Sequence, residues 1–193
     1  MDWKEQLAIL EHTKQWDNAI DFMKIVVKDN PDDIDAYLFM NYLLINLLVE
    51  EEYNFAKNHD YYAQLAKHYF DESNAKFSEN PAYLYYSARM AVMSPWYFNI
   101  DSNDIENMMQ KAMKLAPDNL VYKWRYYFDL EDNYSQNKDE IVTYSKLILS
   151  EDSLIQKELK TKGALGEYIL NMMTNWAKRM IFDKGKWPWE IKS

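Results

Sequence analysis

The chain reads as all-α, built from stacked antiparallel helix pairs with about nine helices in all. Three observations predict this. Apolar residues recur at helical spacing almost from end to end. Prolines stand at breaks between the periodic runs and not inside them. Glycine is nearly absent, with only Gly163, Gly166 and Gly185. Sheet-rich and nucleotide-binding folds use glycine in tight turns and phosphate loops, so three glycines leave little room for either. The 193 residues fit a single helical domain spanning 1–193. A core of that length buries roughly 70% of the surface its unfolded chain exposes, without help from a disulfide or metal.

Each helix has its own signal. Leu7, Leu10 and Trp3 mark a short first helix. Trp16, Ala19, Ile20, Met23 and Val27 follow the i, i+3, i+4, i+7 rule for a second. It ends at Asn30-Pro31-Asp32-Asp33, because the residue before proline is pushed out of helical geometry. The third helix is expected to start at once, with proline and aspartate in its first turn. It runs to about Val49 and is apolar on most faces, which predicts burial on several sides. A fourth helical region spans about Tyr53 to Phe77, with a kink expected near Asn58 to Tyr61, and stops at Asn80-Pro81. A fifth, Ala82 to Met93, ends before Ser94-Pro95. Asp101 or Ser102 caps a sixth that carries Ile105, Met108, Met109, Ala112 and Leu115. After Ala116-Pro117-Asp118-Asn119 the seventh holds Leu120, Trp124, Tyr127 and Phe128 on one face. Ser135 to Leu149 is the eighth. The ninth follows Ser150-Glu151-Asp152 and reaches about Phe182, with an irregularity at Gly163 to Gly166.

Composition excludes several function classes. There is no cysteine, so thiol nucleophiles, disulfides and Cys-type zinc sites are ruled out. Met1-Asp2-Trp3-Lys4-Glu5 puts an acid where a signal peptide needs bases, and no apolar core of one follows. The most apolar stretch, Ala36 to Val49, is interrupted by Asn41 and Asn46 and is shorter than a membrane span of ~20 residues. A cytoplasmic protein with no membrane contact is expected. Net charge is −9, which argues against nucleic acid, because phosphate binding runs on Lys and Arg. Residues 157–193 carry 8 basic and 4 acidic residues, a net of +4, and the rest carries 14 and 27, a net of −13. Such a surface is either simply solvated or steers a basic partner.

Catalytic chemistry finds no foothold. His12, His59 and His68 are the only histidines, and none belongs to a Glu-x-x-His metal pair. No Gly-x-Ser-x-Gly, phosphate loop or dinucleotide fingerprint is present. Runs such as Glu50-Glu51-Glu52 and Asp71-Glu72 place adjacent acids in different directions on a helix, which suits solubility better than paired catalysis. The expectation is a protein with no enzymatic activity, no metal and no cofactor. A carboxylate site on helices, betrayed by a copurifying metal, is the enzymatic alternative.

The breaks Asn30-Pro31-Asp32-Asp33, Glu79-Asn80-Pro81-Ala82 and Ala116-Pro117-Asp118-Asn119 each precede an aromatic-rich helix. Their prolines are 50 and 36 residues apart, a spacing that suggests stacked helix pairs. In front of them stand Ala19, Met23 and Val26, and then Ile105, Met109 and Ala112. On these residues the chain resembles the tetratricopeptide (TPR) repeat family over roughly 16–150, with a divergent C-terminal helix and tail over 152–193. It departs from the family pattern at Tyr69, Ser73 and Lys76 before Pro81, and at Met40, Met90 and Tyr126 where a small residue is usual. The resemblance implies a right-handed helical array with a concave groove lined by the first helix of each pair. Tyr37, Asn41, Lys123 and Tyr127 would face it. Asn41 and Asn46 have a second reading, in which each amide bonds a neighbouring helix.

Two aromatic clusters fall outside the periodic runs, Trp96-Tyr97-Phe98 and Trp187-Pro188-Trp189. Either could anchor a partner or fold back to cap the helix stack, the tail above all. The acids Glu50, Glu51, Glu52, Asp101 and Asp104 are the candidates for meeting a basic partner. By size, acidity and lack of cysteine the chain also resembles the immunity proteins of contact-dependent growth-inhibition and polymorphic toxin systems. That likeness implies a monomer or weak oligomer that neutralises a basic toxin domain, such as a nuclease. The alternative is a TPR-type scaffold or secretion chaperone that holds a peptide segment.

Overall fold

The computed structural model describes residues 2–49, 59–129, 137–150 and 153–190. Among them are eleven α-helices, one 3-10 turn and no strand. The chain divides into two compact units, Met1–Leu115 and Ala116–Ser193.

The first unit holds α1 (Trp3–His12), α2 (Trp16–Asp29), α3 (Ile34–Val49), α4 (His59–Phe77), α5 (Pro81–Ala91), α6 (Pro95–Phe98) and α7 (Ser102–Leu115). Its centre is α3. Twelve of its 16 residues are buried, so no face is left for water and neighbours must cover all of it. The coats are α2, α4 and α5. The amphipathic α2 turns Ala19, Ile20, Met23, Val26 and Val27 inward. Helix α7 packs on α5 through Ile105, Met109 and Ala112, again at i, i+4, i+7.

The proline breaks turn out to be of two kinds. At Pro31 the chain makes a turn closed by Asp33 N–H donating to Asn30 O (3.1 Å), and Asp33 Oδ1 then accepts from Asp35 N–H (2.9 Å). At Pro117 the same pattern recurs. Asn119 N–H donates to Ala116 O (3.1 Å), and Asn119 Oδ1 accepts from Val121 and Tyr122 N–H (3.0 and 3.2 Å). In both, proline sits in the turn and the acid or amide two residues later caps the next helix. Helix α3 therefore starts at Ile34, later than the proline and aspartate expected in its first turn. At the remaining break Pro81 is a first helical residue, with Asn80 Oδ1 as the cap for Ala82 and Tyr83 N–H (2.9 and 3.1 Å).

The second unit holds α8 (Leu120–Asp129), α9 (Lys138–Leu149), α10 (Leu154–Lys160), α11 (Gly163–Met180) and the 3-10 turn Pro188–Glu190. Buried Trp124 donates from Nε1 to Ser145 Oγ (2.9 Å) and so ties α8 to α9. The single long ninth helix expected from sequence is in fact α10 and α11, packed on one another. Gly163 has a left-handed φ of 56° at the start of α11. A Cβ at Gly166 would lie 1.7 Å from the Leu159 carbonyl oxygen, so only glycine lets the two backbones approach this closely. With that split and with α6, a one-turn helix in what reads as a bare connection, the described residues hold more helices than the nine expected.

Replacing Gly166 with Ala must push α10 off α11. Overpacking of this kind costs about 2–3 kcal/mol. The urea midpoint of Gly166→Ala, followed by circular dichroism, should fall accordingly. An unchanged midpoint would mean that this contact is looser than described.

Candidate protein-binding surface

Tyr37 and Asn41 lie one turn apart on α3, and both are fully buried. They face α4. Tyr37 Oη donates to Glu72 Oε1 (2.5 Å), and Lys76 Nζ donates to Tyr37 Oη (2.6 Å) and to Glu72 Oε1 (2.8 Å). These contacts from Lys76 and Tyr37 hold the Glu72 carboxyl below its ordinary range, and the same carboxylate raises Lys76 to about 12. Asn41 Nδ2 donates to Ser73 Oγ (3.4 Å), which also meets Tyr83 Oη (2.9 Å) and donates to Tyr69 O (2.7 Å). Asn41 Oδ1 is buried and has no hydrogen-bond partner among the described residues. Both side chains thus stitch α3 to α4 and present nothing to solvent.

The cluster Trp96-Tyr97-Phe98 is divided by α6. Phe98 is buried and stacks on Phe70 of α4, with ring centroids 4.4 Å apart at 28°. Tyr97 is half-buried, its Oη 2.8 Å from His59 Nε2. Trp96 is 67% exposed, and Val92, just past the end of α5, is 45% exposed. Pro95 opens this turn and Asn99, with a left-handed φ of 54°, closes it. Sequence reading treats the three aromatics as one unit because period alone cannot say which of three adjacent rings finds a pocket.

Asp101 and Asp104 are exposed and form a capping box at the start of α7. Asp101 Oδ1 accepts from Asn103 and Asp104 N–H (2.8 and 2.9 Å), and Asp104 Oδ2 accepts from Asp101 N–H (3.0 Å). Beside Asp104 a cleft of about 330 Å³ opens between α4, α5 and α7. Phe70, Leu84, Ile100 and Met108 form its apolar part, and Asn74, Asn107, Asp104 and Lys111 its polar part. Lys111 is paired with Glu79 across the loop (2.5 Å). Asn74 and Asn107 carry no sequence signal, since only the packing of α4 against its neighbours brings them together.

In the second unit Lys123 is half-buried with its Nζ 3.8 Å from Asp118. Glu50, Glu51 and Glu52 lie outside the described residues, as does the side chain of Tyr127. In the tail, Trp187 and Trp189 stack at 5.0 Å and 6°, and Phe182 meets Trp187 edge-on at 4.8 Å. These rings fold onto one another. Among the described residues no group of three His, Cys, Asp or Glu side chains could hold a metal ion, and no helix is long and apolar enough to cross a membrane.

Comparison with protein-family models, with curated proteins and with solved structures finds no match for this chain.

The buried network makes a pH prediction. Burial pushes the Tyr83 phenol up to about 12 from an ordinary 10. Tyr37 and Tyr69 are raised for the same first cause. A raised pKa stabilises the fold fully below the unfolded value and loses that contribution as pH rises through the folded one. The urea midpoint should therefore hold to about pH 9 and fall between about 10 and 12, with Tyr83 supplying about 2 kcal/mol of the loss. Tyr83→Phe should start lower, by about 1 kcal/mol for the lost bond to Ser73, and fall less steeply. Equal slopes in the two proteins would refute the assignment.

Proposed function

We propose that this chain is a non-enzymatic protein-binding module, an immunity-type protein that captures and neutralises a basic toxin domain. The observation that carries the reading is the distribution of charge. Residues 1–115 hold 19 acidic and 10 basic residues, a net of −9, whereas residues 116–193 hold 12 of each. The whole net charge of the protein thus belongs to one compact unit. In that unit Lys4, Lys24, Lys67, Lys76 and Lys111 are each already paired with a carboxylate of the same chain. The surplus acid is what a basic partner would meet, and such a field speeds association and rejects acidic competitors. Occlusion of a toxin's active site needs no chemistry from this chain.

The helix order supports a TPR-like array for this role. Successive helices α1 to α4 pack in sequence, α3 also packs on α5, and α5 on α7. Stacked helix pairs, each unit covering the last, would give such neighbours. We take the array to be right-handed, the protein to act in the cytoplasm as a monomer or weak oligomer, and its mechanism to be steric.

One observation favours a second reading. The cleft beside α7 combines apolar Phe70, Leu84, Ile100 and Met108 with the side-chain amides of Asn74 and Asn107. Side-chain amides over an apolar groove suit an extended peptide backbone, so a peptide-holding scaffold or secretion chaperone is the alternative.

Affinity capture with the tagged chain from its native lysate, at low and at high salt, separates these. The proposal expects one stoichiometric basic protein, retained less as salt rises, whose toxicity in a growth assay is relieved when the chain is co-expressed. Many partners that share a segment, held independently of salt and lost in Asn107→Ala, would support the scaffold instead.

A further inference from the structure

We propose that Trp96 is the anchor of the partner interface and that its indole face receives an arginine of a basic protein; this deepens the reading above and rests on it. The argument begins with how the ring is held. Trp96 is the most exposed aromatic of the described chain, yet it stands on a fixed support. Phe98 behind it is locked against Phe70, and Tyr97 beside it is bonded to His59. Proline fixes the entry to the turn, and a left-handed Asn99 fixes the exit. The backbone under the indole is therefore ordered before any partner arrives, and little conformational entropy remains to be lost on binding. Exposed tryptophan on an ordered support is what interface hot spots use.

The occupant follows from charge. From residue 90 to residue 110 there is no Lys or Arg, while Asp101, Asp104 and Glu106 all fall in that span. Arg89, just before it, is buried. On the α4 side, His59 leads to Asp60, whose side chain is almost fully exposed. A segment that carries three acids and neither Lys nor Arg suits a guanidinium as the partner of its exposed indole. Arginine stacks on the ring while its N–H groups reach carboxylates, which the compact lysine ammonium does less well.

The test uses the full chain and two fluorescent probes, a short poly-arginine peptide and a poly-lysine peptide of equal length, read by anisotropy at low and at high salt. The expected result is tighter binding of poly-arginine, with the excess surviving high salt. Trp96→Ala should weaken poly-arginine binding roughly fivefold, towards the poly-lysine value. Trp96→Phe should keep most of it. Both substitutions are at the surface and should leave the thermal unfolding profile unchanged, which confirms that the turn persists. If wild type binds poly-arginine and Trp96→Ala binds it equally well, Trp96 is not the anchor, and the basic-partner reading stands without it. If wild type binds neither peptide even at low salt, the basic-partner reading itself is overturned. A neutral leucine-rich amphipathic peptide that binds more tightly than poly-arginine, or self-association of the chain that Trp96→Ala abolishes, would replace arginine with an apolar helix or a second copy as the occupant.

Discussion

Everything in the first unit answers to the burial of α3. A helix with twelve buried residues cannot be stable on a surface. Burying each large apolar side chain contributes roughly 1.5–3 kcal/mol, so covering this helix outweighs any local preference of its neighbours. Helices α2, α4 and α5 supply the cover. The two polar residues that α3 carries inward must then be met where they land. Helix α4 meets them with Glu72, Ser73 and Lys76. The same burial that makes the core also fixes which α4 residues are polar inside and which are free outside.

That division shapes the electrostatics. Carboxylates in this unit do several structural jobs, as caps at Asp33 and Asp101 and as partners of Lys4, Lys24 and Tyr62. Exposed ion pairs of this type add little stability, typically under about 1 kcal/mol each. Their larger consequence is that they neutralise the lysines locally. With Lys4, Lys24, Lys67, Lys76 and Lys111 engaged, the excess of acid is felt at the range of a Debye length, about 8–10 Å. A protein arranged this way keeps its helix termini in order and still projects a negative field.

How much of this was legible in the sequence depends on the range of the deciding contact. Apart from α6, helices from α1 to α9 are readable because period and proline act within a few residues. Proline's role was harder. Pro31 and Pro81 both follow Asn, yet one lies in a turn and the other in a helix, and the difference rests on which side chain finds the free N–H groups. The α10–α11 split was visible only as glycine, since the close approach to Leu159 belongs to two separate helices. For Tyr37 and Asn41 two sequence arguments pulled apart. The resemblance placed them on a groove, whereas the apolar character of α3 on every face implied that they would be inside. The structure places them inside, in line with the physical argument, because burial acts on every residue of such a helix whatever the family pattern assigns. Asp101 was readable both as a cap and as a surface acid, and it is both.

The division of the α6 cluster shows why the indole is informative. Three adjacent aromatics on one turn cannot all point into a core. Phe98 and Tyr97 take the two anchoring roles, so the turn keeps its geometry without help from Trp96. A polar side chain at position 96 would serve the fold equally well, and would spare the water-facing apolar surface of a large ring. Local packing buries Phe98 and half-buries Tyr97, whereas Trp96, in tilted contact with the Tyr97 ring at 5.7 Å, leaves most of its surface in water. The ring that leaves the most surface in water thus stands on a turn fixed at its entry by Pro95 and at its exit by Asn99.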